Sequence, residues 1–345
     1  MPNIKEISKL AGVSTATVSN VMNNSPKVTP GTREKVLKVI QDTKYRPNTI
    51  AKSLKIKKTN TIGIITEDIT VFNTPEIING INEYAENHNY HIILNNVMMN
   101  KRVGNNYEAT AKYTKAVSEI VEVLISKQVE GIIYVGAHCR DITGLVENNA
   151  VPIVYTYCYS NREPAVSIYY DDETAAYKIT EYLIRLNHRK IGIITGLLDS
   201  AQCQERLKGY QRALYDSGLL FNPEYMKIGN WEWEKGYVLG KELLSLSDRP
   251  TAIFSMNDIM AGGLIDAANE LGVSIPKGLS LVGFDNRECS YSYSPKLTTM
   301  ALPLNEIGKL GAQILINIVS GNVDNRKKAI KLQCKLIERK SVLSV

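Results

Sequence analysis

No stretch of this chain is apolar for the roughly 20 residues that a helix needs to cross a bilayer. The first residues, Met1-Pro2-Asn3-Ile4-Lys5-Glu6, lack the apolar core of an export signal. These two absences predict a cytoplasmic protein with no membrane partner. Cysteine is scarce and scattered: Cys139, Cys158, Cys203, Cys289 and Cys334 are odd in number and none sits in a C-x-x-C pair. Free thiols are expected rather than a disulfide framework. The neighbours His138 and Cys139 lack further ligands at zinc-like spacing, so no metal site is expected. No G-x-G-x-x-G follows a strand-like run and there is no phosphate-binding P-loop, which disfavours a nucleotide-cofactor enzyme. No cofactor is expected.

What is present is a chain of 345 residues, 44% hydrophobic and 22% charged, able to bury two or three compact cores. Its charge is unevenly spread. Residues 1–60 hold twelve Lys/Arg against three Asp/Glu, while the remainder is net −3. A basic module on a slightly acidic body is the composition of a phosphate-backbone binder. A solvated basic tail would lack apolar periodicity, and this segment has it.

Asn3 and Glu6 are spaced as an N-cap and its reciprocal partner, followed by Ile4, Ile7 and Leu10 at helical spacing. Ala11-Gly12-Val13-Ser14 breaks that helix, with Gly12 suited to a left-handed C-terminal position. A second helix is predicted over Thr15–Asn23, capped by Ser14. Val18, Val21 and Met22 form its inward stripe, and Thr15, Ala16, Ser19, Asn20 and Asn23 lie opposite. A third starts after Thr29 with Pro30 in its first turn and carries Val36, Val39 and Ile40 inward. Two short helices joined by a tight glycine turn, with a supporting third, make a helix-turn-helix. In such units the second helix enters the major groove. There Asn20 can pair with adenine, Ala16 can touch a thymine methyl, and the hydroxyls can reach several base edges.

Taken together, Ile4-Lys5-Glu6-Ile7, Ala11-Gly12-Val13-Ser14-Thr15-Ala16-Thr17-Val18-Ser19, Val28, Thr32-Arg33-Glu34-Lys35-Val36, Tyr45-Arg46-Pro47-Asn48 and Ala51-Lys52-Ser53-Leu54 resemble the headpiece of the lactose/galactose repressor (LacI/GalR-type) family of bacterial transcription regulators. The resemblance implies that Thr15, Ala16 and Asn20 hold the main base-reading positions. It also implies that Ser14, Thr17, Ser19, Asn23, Thr29, Thr32, Tyr45, Asn48, Ala51 and Lys52 complete the DNA surface. The family very often has Arg where this chain has Asn20, so its operator sequence does not carry over. Residues 1–46 are the expected headpiece and 47–59 a hinge and linker. Asn48 to Lys55 is long enough for two helical turns, marginal alone in water. The family reading is that this helix forms when two copies pair on DNA, with Leu54 wedged into a minor-groove step.

Beyond residue 60, short β-rich runs alternate with amphipathic stretches such as Thr174–Leu186 and Gln204–Ser217, predicting parallel α/β sheets. The runs are 61–66, 91–96, 131–136, 152–157, 190–196, 251–256 and 280–285. Ligands of open α/β sheets bind beyond the carboxyl ends of strands. The residues following the runs include Glu67, Asp68 and Phe72; His138 and Arg140; Asp199; Asn257 and Asp258; and Asp285 and Asn286, while Tyr157 closes the fourth run. Planar hydrogen-bonding groups and aromatics suit a polyhydroxylated ligand.

The resemblance continues here as two doubly wound, periplasmic-binding-protein-like lobes facing a cleft. Asn187-His188-Arg189-Lys190-Ile191 resembles a family segment in which Asn187 replaces the usual Gly. Arg206 stands at the family's ligand-binding arginine, Trp231 at its aromatic wall, and Asn257 and Asp285 at hydrogen-bonding positions. Leu297-Thr298-Thr299 resembles the strand crossing back to the first lobe. The expected pocket is Phe72, Tyr157, Arg206, Trp231, Asn257 and Asp285. Asp258 is equally readable as a helix cap, and only one of Trp231 and Trp233 is expected to meet ligand. The first lobe is placed at about 60–160 plus 292–322, the second at about 161–291 plus 323–345. These readings predict a homodimeric repressor of carbohydrate-utilisation genes, at the nucleoid, released from a pseudo-palindromic operator by a small sugar. A regulator that needs a purine or other small molecule as co-repressor is the alternative within the class. An exported sugar-binding protein would share the lobes but not the headpiece. An enzyme would need a convergent catalytic set, for which Asp199, Asp258 and Asp285 are available; a binding site uses the same residues, and no enzyme is expected.

Overall fold

The computed structural model describes residues 2–45, 58–104, 113–146, 150–322 and 328–345. The hinge positions Asn48, Ala51, Lys52 and Leu54 lie outside the described residues. The chain divides into two compact units that part between Thr59 and Asn60.

The first unit consists of α1 (Ile4–Ala11), α2 (Thr15–Met22) and α3 (Pro30–Thr43). The Asn3 Oδ1 accepts the backbone N–H of Lys5 at 2.9 Å and of Glu6 at 3.1 Å. The Glu6 carboxylate in turn accepts the Asn3 N–H at 3.3 Å, so orphan N–H groups at both positions are satisfied reciprocally. Gly12, at φ +61°, ends α1 in the left-handed region. Ile7, Ala11, Val18, Val21 and Val36 form the buried core, with Ile4, Met22, Val39 and Ile40 packed around it. Leu10 departs from the expected stripe and is 63% exposed. Ala11 completes that stripe instead, and its small side chain lets α1 close on its neighbours.

The second unit holds two six-stranded sheets. In the first, β1 (Thr61–Thr66), β2 (His91–Asn96), β3 (Gly131–Val135), β4 (Ile153–Thr156), β5 (Val166–Tyr170) and β11 (Lys328–Leu332) run in the order β11-β5-β4-β3-β1-β2, parallel throughout. In the second, β6 (Ile191–Thr195), β7 (Met226–Ile228), β8 (Ala252–Ser255), β9 (Ser280–Asp285), β10 (Thr298–Ala301) and β12 (Lys335–Ile337) run β12-β10-β9-β8-β6-β7, with only β12 antiparallel. The helices are α4 (Thr74–Asn87), α5 (Met99–Val103), α6 (Thr114–Ser126), α7 (Asp172–Arg185), α8 (Ala201–Asp216), α9 (Trp233–Leu244), α10 (Asp258–Glu270), α11 (Cys289–Ser292) and α12 (Leu304–Val319).

The inner strands β1, β3, β4, β6, β8 and β9 are nearly continuous apolar runs, as strands covered on both faces are. β3, β4, β6 and β8 are buried at every position. α4 and α12 approach until their backbones touch. A Cβ on Gly80 would lie 2.1 Å from the Asn305 carbonyl oxygen, and one on Gly308 would lie 2.0 Å from that of Ile77.

The lobe boundaries differ from the expected ones. Val166–Tyr170 pairs with β4 and belongs to the first sheet, so the chain first crosses at Asp171 rather than near 160. Thr298–Ala301 pairs with β9 and stays in the second sheet, which moves the return from 292 to residues 302–303. Lys328–Leu332 pairs with β5 before Lys335–Ile337 joins the second sheet, adding a third crossing at residues 333–334. β5 and β10 are thereby paired on both sides, while β11 and β12 are the outermost strands of their sheets.

Candidate functional site

α2 carries no charged side chain. Ser14 caps it, its Oγ accepting the Thr17 N–H at 3.1 Å and meeting the Thr17 hydroxyl at 2.9 Å. Those two hydroxyls are thus committed to each other, and Thr17 is half-buried. Thr15, Ala16, Asn20 and Asn23 are exposed, while Ser19 is half-buried beside the Asn23 amide, 3.4 Å away. At the start of α3 the Thr29 hydroxyl donates to that of Thr32 at 2.9 Å. Tyr45 leans half-buried on the headpiece core.

In the second unit a cavity of about 360 Å³ opens beyond the carboxyl ends of both sheets. Its wall brings together all six of the expected positions, Phe72, Tyr157, Arg206, Trp231, Asn257 and Asp285. Arg206, on α8, is 2% exposed and already engaged by protein. Its Nε donates to Asp172 at 2.7 Å, one terminal nitrogen donates to the Met256 carbonyl, and the other donates to the Tyr170 hydroxyl at 2.9 Å and to Asp285 at 3.4 Å. Its guanidinium lies 3.8 Å from the centroid of the Phe284 ring and 5.6 Å from that of Trp231. Burial raises the carboxyls of Asp172 and Asp285 to about 6 despite this guanidinium, which pulls each of them down.

Asn257, not Asp258, caps α10. Its Oδ1 accepts the Met260 N–H at 2.8 Å, and its amide donates to the Trp231 carbonyl at 2.8 Å. Asn257 therefore latches the aromatic wall as well as the helix. Trp231 sits at φ +76° outside any strand, and its ring occupies the space where residue 196 would carry a side chain. A Cβ on Gly196 would lie 1.9 Å from the indole. Trp233 begins α9 outside the cavity, stacked on Tyr237 at 5.5 Å.

Asp258 is fully buried beneath the cavity. Its carboxylate accepts the Thr299 hydroxyl at 2.6 Å and the Arg287 backbone N–H at 2.7 Å. Burial, reinforced by Asp285, pushes its carboxyl up to about 8. This bond helps hold a turn in which Asp285 (φ +98°) and Asn286 (φ +55°) are both left-handed. Arg339 holds the same turn, donating to the Asn286 side chain at 2.6 Å and to the Leu297 carbonyl at 2.7 Å.

Other strand-end residues serve the framework. Glu67 and Arg140 form a buried two-pronged pair at 2.8 and 2.9 Å, with Tyr134 and the Ala137 N–H also on Glu67. Asp68 turns back onto Thr70 and the Asn100 N–H. Asp199 is exposed and does not line the cavity. His138 does line it, and burial lowers its imidazole to about 4, so it is neutral at physiological pH. Among the polar lining residues that the sequence did not single out are Gln202, Asn230, Glu232 and Arg287. Arg287 follows the same strand end as Asp285, so the rule that found one could have found the other.

A helix-turn-helix with an uncharged polar reading face, joined to two α/β lobes around a cleft, defines the class of ligand-responsive DNA-binding regulators. Residues 3–48 match the family described as bacterial regulatory proteins, lacI family, and residues 180–342 match the periplasmic binding protein-like domain. The chain is 33% identical to the HTH-type transcriptional repressor PurR of Vibrio atlanticus over 347 residues, covering 99% of each chain. It is 31% identical to the ribose operon repressor of Haemophilus influenzae over 348 residues, covering 100% of each. Its fold superposes on a crystal structure of the lac repressor dimer bound to operator and the anti-inducer ONPF, with a TM-score of 0.79, 25% identity and 99% of each chain covered. The chain belongs to the LacI family and is a DNA-binding transcriptional repressor. Among the described residues no helix is long and apolar enough to cross a membrane, and no group of three or more His, Cys, Asp or Glu side chains is placed to hold a metal ion.

Proposed function

We propose that the cleft receives a sugar, and that its binding releases a dimer of this chain from a pseudo-palindromic operator read by Thr15, Ala16 and Asn20. The observation that carries the sugar reading is the pairing of apolar and polar walls. Trp231 on the second lobe and Phe72 on the first bring aromatic rings to the cavity lining, which also holds Asp285, Gln202 and Asn230. Aromatic faces suit the C–H faces of a pyranose or furanose ring, and the polar groups suit paired hydroxyls. Arg206 lines the cavity and also braces it. By tying Asp172, Tyr170 and Asp285 together it fixes the cavity floor across the first crossing between lobes.

A ligand that binds the closed cleft better than the open one shifts the chain between the two arrangements, and only that difference in affinity can change DNA binding. A purine base acting as co-repressor is the second reading. It is favoured by the same two aromatic faces and by relatives named PurR at 31–33% identity. Nothing beyond binding is asked of the carboxylates, so no turnover of the bound compound is expected.

The test is a thermal-shift screen of sugars and purines on the full chain, followed by calorimetry and operator binding with each hit. A sugar should stabilise the protein and weaken operator binding, and Trp231→Ala should reduce its affinity by roughly tenfold or more. A purine hit that strengthens operator binding would replace the first reading with the second.

A further inference from the structure

The two arginines in the cavity wall differ in what their donors do. Arg206 is buried and bonded to Asp172, Asp285, Tyr170 and a carbonyl. Arg287 is half-buried in the same wall, and among the described residues its guanidinium donates to no protein acceptor and makes no ion pair within 4 Å. It rests instead on the face of Phe72, 4.7 Å from the ring centroid, contributed by the opposite lobe.

Stacking of this kind leaves the guanidinium's in-plane N–H groups free to point sideways, the geometry that matches a carboxylate or phosphate. Its backbone is fixed as well: the Arg287 N–H is held by Asp258, and the preceding residue by Arg339. Asp285 lies near enough for Arg287 to favour its ionised form, yet its hydrogen bond goes to Arg206. Glu232, the other acid of the wall, is exposed at the rim.

We infer that the effector carries an anionic group, a phosphate or a carboxylate, and that Arg287 is the residue that receives it. The inference rests on the reading of this cleft as the effector site. It narrows the ligand class from sugars in general to sugar phosphates or sugar acids. A neutral sugar would leave a guanidinium poised in the cavity with no partner of its own kind. An anion would be held by it while Phe72 covers the other face, drawing the two lobes together.

The experiment uses the full chain, with Arg287→Gln and Arg287→Lys. The probes are inorganic phosphate and the matched sets glucose, glucose 6-phosphate and glucuronate, and ribose and ribose 5-phosphate, all read by calorimetry. Phosphate should bind the wild type saturably, and Arg287→Gln should weaken it by roughly tenfold to a hundredfold, the scale of a charge-assisted hydrogen bond. Arg287→Lys should restore part of that loss, since it keeps the charge and loses the fork.

Within each set the charged member should bind better than the neutral one, with phosphate against carboxylate deciding the source of the anion. If phosphate binds neither form saturably, or binds both alike, the inference is overturned. So is it if a neutral sugar outbinds its charged partner and is indifferent to Arg287→Gln. Trp231→Ala separates the two levels. If it removes sugar binding while Arg287→Gln does not, the cleft reading stands and the anion subsite falls. If neither variant affects binding, the cleft reading itself fails.

Discussion

At the scale of single residues, the cleft shows how one side chain can line a cavity and hold its framework at once. The family resemblance singles out Arg206, and the structure shows that this cavity-lining guanidinium also bonds Asp172, Tyr170, the Met256 carbonyl and Asp285. Removing it leaves two buried carboxylates without their cation. Arg206→Ala should therefore lower stability by about 3–5 kcal/mol, in line with other broken buried pairs. Urea titration would measure this, and a midpoint close to that of the wild type would show that the cluster does not anchor the floor.

Asp258 supplies a second test through pH. Its carboxyl is raised by burial from 3.8 to about 8, so the folded chain holds a proton that the unfolded chain has released. A raised acid stabilises fully below its unfolded value, and the contribution is lost as pH climbs through the folded value. Asp258→Asn mimics the protonated form and does not titrate. Its melting temperature should rise relative to the wild type as pH increases from about 4 to about 8, then level off. Parallel melting curves across that range would mean that Asp258 does not hold its proton in the folded state.

At the scale of elements, α2 ties local sequence to DNA reading. Its inward Val18 and Val21 are buried, which fixes the rotation of the helix and turns Asn20 outward. Asn20→Arg should shift the preferred half-site base toward guanine, because arginine pairs with the N7 and O6 edges through two hydrogen bonds. A binding-site selection that returned the same sequence logo for both proteins would remove this face from base readout.

The headpiece was readable because its signals are local: a capping box, a left-handed glycine, and apolar residues three and four apart. The longer strands were readable for the same reason. β7 and β12, three residues each, carry no resolvable period, and β5 and β11 mix tyrosine, serine and lysine with their apolar residues. Their sheet membership is set by which ladder they complete, which no local pattern encodes. Leu10 shows the converse: a period-three match that the helix turns outward. Glu67 and Arg140 read as candidate ligand groups because each follows a strand, yet neither lines the cavity. Only their proximity in space, 73 positions apart in sequence, reveals that they satisfy each other.

At the scale of the whole molecule, the chain divides into two compact units that part between Thr59 and Asn60, and the proposed function couples them. The whole basic excess lies in the first unit, so operator affinity should fall steeply with salt, with a log–log slope of about −0.9 per neutralised phosphate. The cleft lies entirely in the second unit. If effector binding weakens operator binding by some factor, thermodynamic linkage requires that operator weaken effector binding by the same factor, typically about 5–150-fold.

Both halves of that cycle can be measured on one preparation. Operator affinity is determined with and without saturating effector, and effector affinity with and without saturating operator duplex. The two ratios should agree, and both should vanish in a chain lacking residues 1–58, which should still bind effector with the affinity of the free full-length protein. Should the shortened chain still bind the operator specifically, DNA recognition would not reside in α2. Should it lose effector binding, the cleft would not be self-sufficient within residues 60–345. Unequal ratios in the intact chain would mean that the effector acts on DNA binding through a step outside this equilibrium, such as a change of assembly state. Repeating the cycle at several protein concentrations would reveal such a step, because a two-state switch within a fixed assembly gives ratios independent of concentration.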